Sequence, residues 1–230
     1  MQRELAPISE RTREIRSRVR QRPHFQIHPN HASVILLGWV TVSLVLLTSA
    51  WGGVTPTAAV KETVDQVLVV LKDPALKNPG RETERRAKLE EIIGRRFDYG
   101  EMAKRTLASR WKELSPEKQQ EFTSLFQQFL ANSYAGNVDG YSGEQVEYLK
   151  EREKGEFAEV QTKVVSPKVQ FPLDYRLLKK EGEWRVYDVV IDGVSLMKNY
   201  RGQFSRIIDS SSFEGLLEKL RSKADLGTSS

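Results

Sequence analysis

Cysteine is absent from the whole 230-residue chain, and the three histidines, His24, His28 and His31, fall within its first thirty-one residues. From Val60 onward both residue types are missing. The first absence excludes a disulfide framework and a lipid-modified N-terminal cysteine, so the domain must rely on its core. The ~170 residues from Val60 suffice for one domain of ordinary size. The second absence removes the base that a serine nucleophile needs and the commonest zinc ligand. No metal or other cofactor is expected. An excess of one charge sign is lacking too. The chain carries 36 Lys+Arg against 31 Asp+Glu, but residues 1–59 hold 7 and 3 of these, which leaves 29 against 28. A near-neutral domain lacks the concentrated basic face that nucleic acid demands, so no nucleic-acid partner is expected.

The arginines at 3, 11, 13, 16, 18, 20 and 22 precede a stretch with no charge from Ala32 to Val60. Within it, Val34 to Leu47 is strongly apolar, and small residues follow at Thr48-Ser49-Ala50 and Thr57-Ala58-Ala59. This is the order of an export signal, and cleavage is expected after Ala59. The competing reading is an uncleaved anchor, since Ala32 to Ala50 approaches the ~20 apolar residues that span a bilayer. In both cases the positive flank stays cytoplasmic and the remainder crosses, to the periplasm. The expected division is therefore a signal peptide or signal anchor over 1–59 and one domain over 60–230.

The first part of that domain has helical periodicity. Val64, Val67, Leu68 and Leu71 share a face before Asp73-Pro74 stops the helix. A second helix runs from about Glu82 to Phe97 with Leu89, Ile92 and Ile93 aligned. Asp98 and Glu101 have capping-box spacing ahead of Met102, Ala103, Leu107, Trp111 and Leu114. Ser115-Pro116-Glu117 opens the longest helix, whose stripe is Phe122, Leu125, Phe126, Phe129, Leu130 and Tyr134, with Gly136 as its expected stop. Such a stripe is core unless something else in the fold opens beside it.

Beyond Gly140 the period becomes two. Four strands are expected, marked by Val146 and Tyr148; Val160, Thr162 and Val164; Phe171, Leu173, Tyr175 and Leu177; and Trp184, Val186 and Val190. Lys154-Gly155, Ser166-Pro167 and Glu181-Gly182 separate them at short intervals, which predicts an antiparallel meander. Helical spacing returns with Leu196, Met197, Tyr200, Phe204, Ile207 and Ile208, and again with Leu216, Leu217 and Leu220 after Ser211-Ser212. Helices on either side of one antiparallel sheet make an α+β domain.

The strings Phe171-Pro172-Leu173-Asp174-Tyr175-Arg176-Leu177, Gly182-Glu183-Trp184-Arg185-Val186-Tyr187-Asp188 through Ser195-Leu196, and Asn199-Tyr200-Arg201-Gly202-Gln203-Phe204 resemble the signature of the MlaC family, also called the toluene-tolerance or Ttg2 family. Phe97-Asp98 to Trp111 and Ser115-Pro116-Glu117 to Tyr134 resemble it in order and spacing. The resemblance covers roughly Val60 to Leu226 and implies a periplasmic phospholipid carrier that helps maintain outer-membrane lipid asymmetry. Its implied partners are phospholipid, an inner-membrane ABC transporter complex with a mammalian-cell-entry domain subunit, and an outer-membrane lipoprotein complex.

The expected architecture is a curved four-stranded sheet and several helices around an apolar pocket, as in NTF2-like cones. Its expected lining is Trp111, Phe122, Phe126, Phe129, Leu130 and Tyr134 from helices, Val160, Val164, Phe171, Leu173, Tyr175, Trp184, Val186 and Val190 from strands, and Tyr200 and Phe204 from the following helix. Tyr200 and Arg201 are expected near the pocket mouth, toward a head-group phosphate or solvent. Asp174 and Asp188 resemble paired carboxylates, but structural ion pairing with Arg176, Arg185 or Arg201 is the expected role. Ser195, with no histidine to activate it, is expected to cap a helix. Other readings are an NTF2-like cavity enzyme, which would place a titrating carboxylate in the cavity, and a membrane-anchored interaction module with no cavity.

Overall fold

The computed structural model describes residues 53–228, residue 168 excepted. The arginine run, the histidines and the apolar stretch to Ala50 lie outside the described residues. Helix α1 (Pro56–Lys72) starts where Thr55 accepts the Ala58 N–H at 3.1 Å, with Pro56 at a position whose missing donor costs nothing. The expected boundary between residues 59 and 60 therefore falls inside this helix, and Pro56, Ala59 and Val60 are all buried.

After a 3-10 turn (Ala75–Lys77), α2 (Glu82–Arg96) packs along α1 and encloses a small separate core of Val70, Leu71, Leu76 and Leu89. Arg96 fixes this helical pair to the sheet by donating to Glu62, Thr63 and the Trp184 carbonyl at 3.0 Å each. Asp98 caps α3 (Tyr99–Leu107) through the Glu101 N–H at 2.9 Å. The helix expected to reach Leu114 breaks at Ala108, whose φ of 54° leaves the helical region, and Ala108–Glu113 continues as a 3-10 segment. Ser115 caps α4 (Pro116–Asp139) through the Lys118 N–H. This helix continues past Gly136, because one glycine costs a helix only about 1 kcal/mol and does not end it unaided.

The sheet has five strands, not four: β1 (Gln145–Lys154), β2 (Phe157–Val165), β3 (Gln170–Lys180), β4 (Glu183–Ile191) and β5 (Val194–Ser195), paired antiparallel in chain order. Two hairpins turn on pairs with positive φ, Glu181-Gly182 (53° and 84°) and Asp192-Gly193 (50° and 78°), the geometry that matches strand twist. The second pair creates β5. Two residues are too few to carry an alternation, so the sequence pattern ran β4 directly into helix. Helices α5 (Leu196–Ser210) and α6 (Phe213–Thr228) complete the fold.

Two bulges bend the sheet. In β1, Tyr148 pairs with Thr162 and Lys150 with Gln161, so Leu149 is extra. In β4, Leu177 pairs with Val186 and Arg176 with Asp188, so Tyr187 is extra. The second bulge corrects the expected parity of β4. Val189, opposite Tyr175, joins Trp184 and Val186 on the inner face, while Val190 lies opposite Asp174 on the other.

The main core joins this inner face to the helices. Phe122, Phe126 and Phe129 of α4 stack along the helix with centroids 5.8 and 6.4 Å apart. Tyr200 and Phe204 of α5 meet them edge-on at 5.4 to 5.8 Å. Asp188, only 3% exposed, ties α5 to the sheet. Its carboxylate accepts the Ser195 hydroxyl at 2.6 Å, an Arg176 N–H at 3.1 Å and the Met197 N–H at 3.1 Å. Ser195 in turn accepts the Lys198 N–H at 3.1 Å, the expected cap. Replacing Asp188 with alanine leaves the Ser195 hydroxyl and the Met197 N–H without their acceptor and takes from Arg176 one of its two carboxylate partners, the other being Glu159. A loss of ~2–4 kcal/mol is expected from urea denaturation. A melt unchanged within 1 kcal/mol would show that the carboxylate does not hold this junction.

Candidate functional site

Cross-strand pairing sorts the inner sheet face into rows. Val146, Val164 and Phe171 form one; Tyr148, Thr162, Leu173 and Ile191 the next; then Glu151, Val160, Tyr175 and Val189; then Glu153, Ala158, Leu177 and Val186. The apolar side chains of β3 and β4 lose exposure along this sequence. In the first two rows Val146, Phe171, Tyr148, Leu173 and Ile191 keep partial access to solvent, whereas in the last row Ala158, Leu177 and Val186 are buried and only Glu153, on the edge strand β1, is exposed. Across β2, β3 and β4 the face is therefore an apolar surface partly open at one end and sealed at the other, with Glu151 and Glu153 on its β1 edge. Helix α1 lies over β1 and β2, with the Thr57 N–H donating to Glu151 at 2.7 Å, and Val64 packs against the main core.

The polar atoms on this face are few and mostly committed. Thr162 donates its hydroxyl to the Leu173 carbonyl and its N–H to Asp174 at 3.1 Å. The Tyr148 hydroxyl is buried without a hydrogen-bond partner among the described residues. Burial, with the Asp65 charge adding, pushes its pKa up to about 12. Burial also raises Tyr175, aided by neighbouring Tyr148, and raises Tyr200. These rings present neutral hydroxyls at any physiological pH.

The residues expected to line a pocket separate into groups. Phe171, Leu173 and Val164 lie on the two accessible rows, Val160 and Tyr175 share the row between, and Trp184 and Val186 belong to the sealed end. Leu130 and Tyr134, on the C-terminal half of α4, belong to the same core, and Tyr134 is only partly buried. Phe122, Phe126, Phe129, Tyr200 and Phe204 are fully buried against one another. Tyr200 is thus interior rather than at a mouth, and Arg201 is exposed. Trp111 borders a shallow hollow on α4 with Pro116, Gln119 and Thr123, and Val190 faces away from the rows. Val146, Tyr148, Val189 and Ile191, which the sequence reading does not name as lining, share this face. The first two carried the right alternation, and Val189 was concealed by the bulge.

A second hollow of about 410 Å³ lies between α1, α2 and the β3–β4 turn, lined among others by Glu62, Ile92, Arg95, Arg96 and Trp184. Its mixed charges are bonded to one another, which suits it poorly to an acyl chain. Asp188 accepts from three donors, and Asp174 accepts the Thr162 N–H. Burial, the leading influence, raises the Asp174 pKa. Among the described residues no cluster of three or more His, Cys, Asp or Glu has metal-binding geometry. The arrangement offers a long apolar surface, and the Ser195 hydroxyl that Asp188 accepts is buried at the cap of α5.

The buried tyrosines set a pH signature. Their folded pKa values lie above the ordinary ~10, near 12 for Tyr99 and Tyr148. Their contribution to stability is complete below pH ~10 and is lost as pH rises through ~12. Tyrosinate absorbance is therefore expected to lag behind free tyrosine and to rise together with unfolding. Titration of all seven tyrosines near pH 10 in a protein that remains folded would contradict these environments.

The sequence model described as MlaC protein matches residues 61–222. The intermembrane phospholipid transport system binding protein MlaC of Haemophilus influenzae is 25% identical over 126 residues, 52% of this chain and 59% of that protein. The toluene tolerance protein ttg2D of Pseudomonas putida is 26% identical over 120 residues, 51% of this chain and 56% of that one. The chain thus spans less than two thirds of the length of these curated relatives. A phospholipid-binding protein from Ralstonia solanacearum, solved in complex with a phospholipid, superposes with a TM-score of 0.68 at 28% identity, over 74% of this chain and 97% of that one. With its family model matched across well over half its length, this chain belongs to the MlaC family.

Proposed function

We propose that this protein is a periplasmic phospholipid carrier, exported by its N-terminal segment, that holds acyl chains against the inner face of its sheet. The observation that carries the reading is the graded apolar surface, accessible at Val146, Tyr148, Phe171, Leu173 and Ile191 and closed at Leu177 and Val186. The phospholipid bound to the Ralstonia protein, whose fold this chain shares, supports it.

An acyl chain gains about 0.8 kcal/mol for each methylene that leaves water, but nearly the same in a bilayer. A carrier therefore competes by depth of enclosure, and a surface that closes progressively supplies it. Neutral tyrosine hydroxyls beside that surface avoid placing charge against hydrocarbon. The carrier would exchange its lipid with an inner-membrane ABC transporter complex bearing a mammalian-cell-entry domain subunit and with an outer-membrane lipoprotein complex. This traffic would maintain the lipid asymmetry of the outer membrane. It involves no bond-making, and the engaged carboxylates of Asp174 and Asp188 support a carrier over an enzyme.

Organic extract of the purified protein is expected to contain intact diacyl phospholipid by mass spectrometry, and the stripped protein to take phospholipid from vesicles. Leu173→Asp places a charge on an accessible row, so lipid uptake should fall at least ~10-fold, equivalent to 1.4 kcal/mol, while the fold survives. Phe126→Asp buries a charge in the aromatic stack and should cost several kcal/mol of stability instead. Equal uptake by Leu173→Asp and the parent would move the lipid off this face. Release of fatty acid from labelled phospholipid, abolished by Asp188→Asn, would replace the carrier with an enzyme.

A further inference from the structure

The apolar stretch of the N-terminal segment is followed by two small-residue motifs, and both satisfy the rule of small side chains before the cut. Helix α1 distinguishes them. Thr55, its N-cap, and Pro56 lie upstream of the second motif, and the Thr57 N–H is held by Glu151 of β1. Ala59 is 1% exposed, belongs to the main core, and accepts the Thr63 hydroxyl on its carbonyl at 3.2 Å. A chain cut after Ala59 would lose the cap, the β1 contact and a core side chain. Its new ammonium at Val60, 2% exposed, would have to be buried in the same core or pull the helix open. A cut after Ala50 removes none of this and leaves Trp51 to Val54 ahead of the cap.

Position along the chain agrees. A leader peptidase works at the membrane face, beside the end of the apolar run. Thr48-Ser49-Ala50 adjoins Leu47, whereas Ala59 lies twelve residues beyond it. The peptidase meets the chain before folding, so the helix does not shield the later bond. What separates the two motifs is what the product can fold into.

We propose that processing occurs after Ala50, so that the mature protein begins at Trp51 and keeps the whole of α1. This rests on the export reading given above. The full chain is produced in a Gram-negative host, and its cellular fraction, intact mass and N-terminal sequence are determined. A periplasmic product beginning Trp-Gly-Gly-Val is expected. Ala50→Gln should leave the precursor uncut, and Thr57→Gln, which alters the second motif but keeps the backbone contact to Glu151, should be processed as the parent is. A periplasmic product beginning at Val60, or full-length protein held in the membrane, overturns the assignment while leaving export intact. Precursor confined to the cytoplasm overturns the export reading itself. As a second measure, a chain begun at Val60 should unfold at a lower urea concentration than one begun at Trp51. Coincident unfolding would remove the structural basis of the proposal.

Discussion

The junction made by Asp188 is the constraint on which the remaining arrangement rests. Its carboxylate gathers Arg176 from β3, the Ser195 hydroxyl of β5 and the Met197 N–H of α5 at a site almost closed to water. A buried anion with three donors is stable, whereas the same anion with two is expensive, so the three segments are locked together. Helix α5 then has only one approach to the sheet, and Tyr200 and Phe204 arrive edge-on against the rings of α4. The bulge at Tyr187 adjoins Asp188, and through the change of parity it selects which side chains of β4 complete the inner face.

Fixing the helical layer frees the sheet to be unequal along its length. The sealed end is stabilised by contact with helices, while the accessible rows around Tyr148 and Leu173 have apolar area without full cover. In a protein with no function at that surface such area is a liability. In the carrier proposed above it would supply the binding energy. The aromatic stripe of α4 has the complementary duty: its three phenylalanines are core, and they set the rigid wall behind the face. Ion pairs contribute little to this division, since most lie on the exterior and are screened.

The sequence by itself determined the elements whose signals are local. Asp98 with Glu101, Ser115 with Pro116 and Ser195 each cap a helix where their spacing places them, because a cap needs only neighbours two or three residues away. The alternation in β2 and β3 named Val160, Val164, Leu173 and Tyr175 correctly as one face for the same reason. Only the tertiary structure decided which apolar residues remain accessible and which are sealed. Phe126 and Leu173 are both apolar and periodic, and only the packing of α5 against α4 closes one while the rows at Tyr148 leave the other open. It alone decided that Val189 replaces Val190, since one inserted residue reverses every side chain after it without altering composition. The short β5, and the place of Ala59 in the core, were settled likewise by partners more distant in the chain than any periodicity extends.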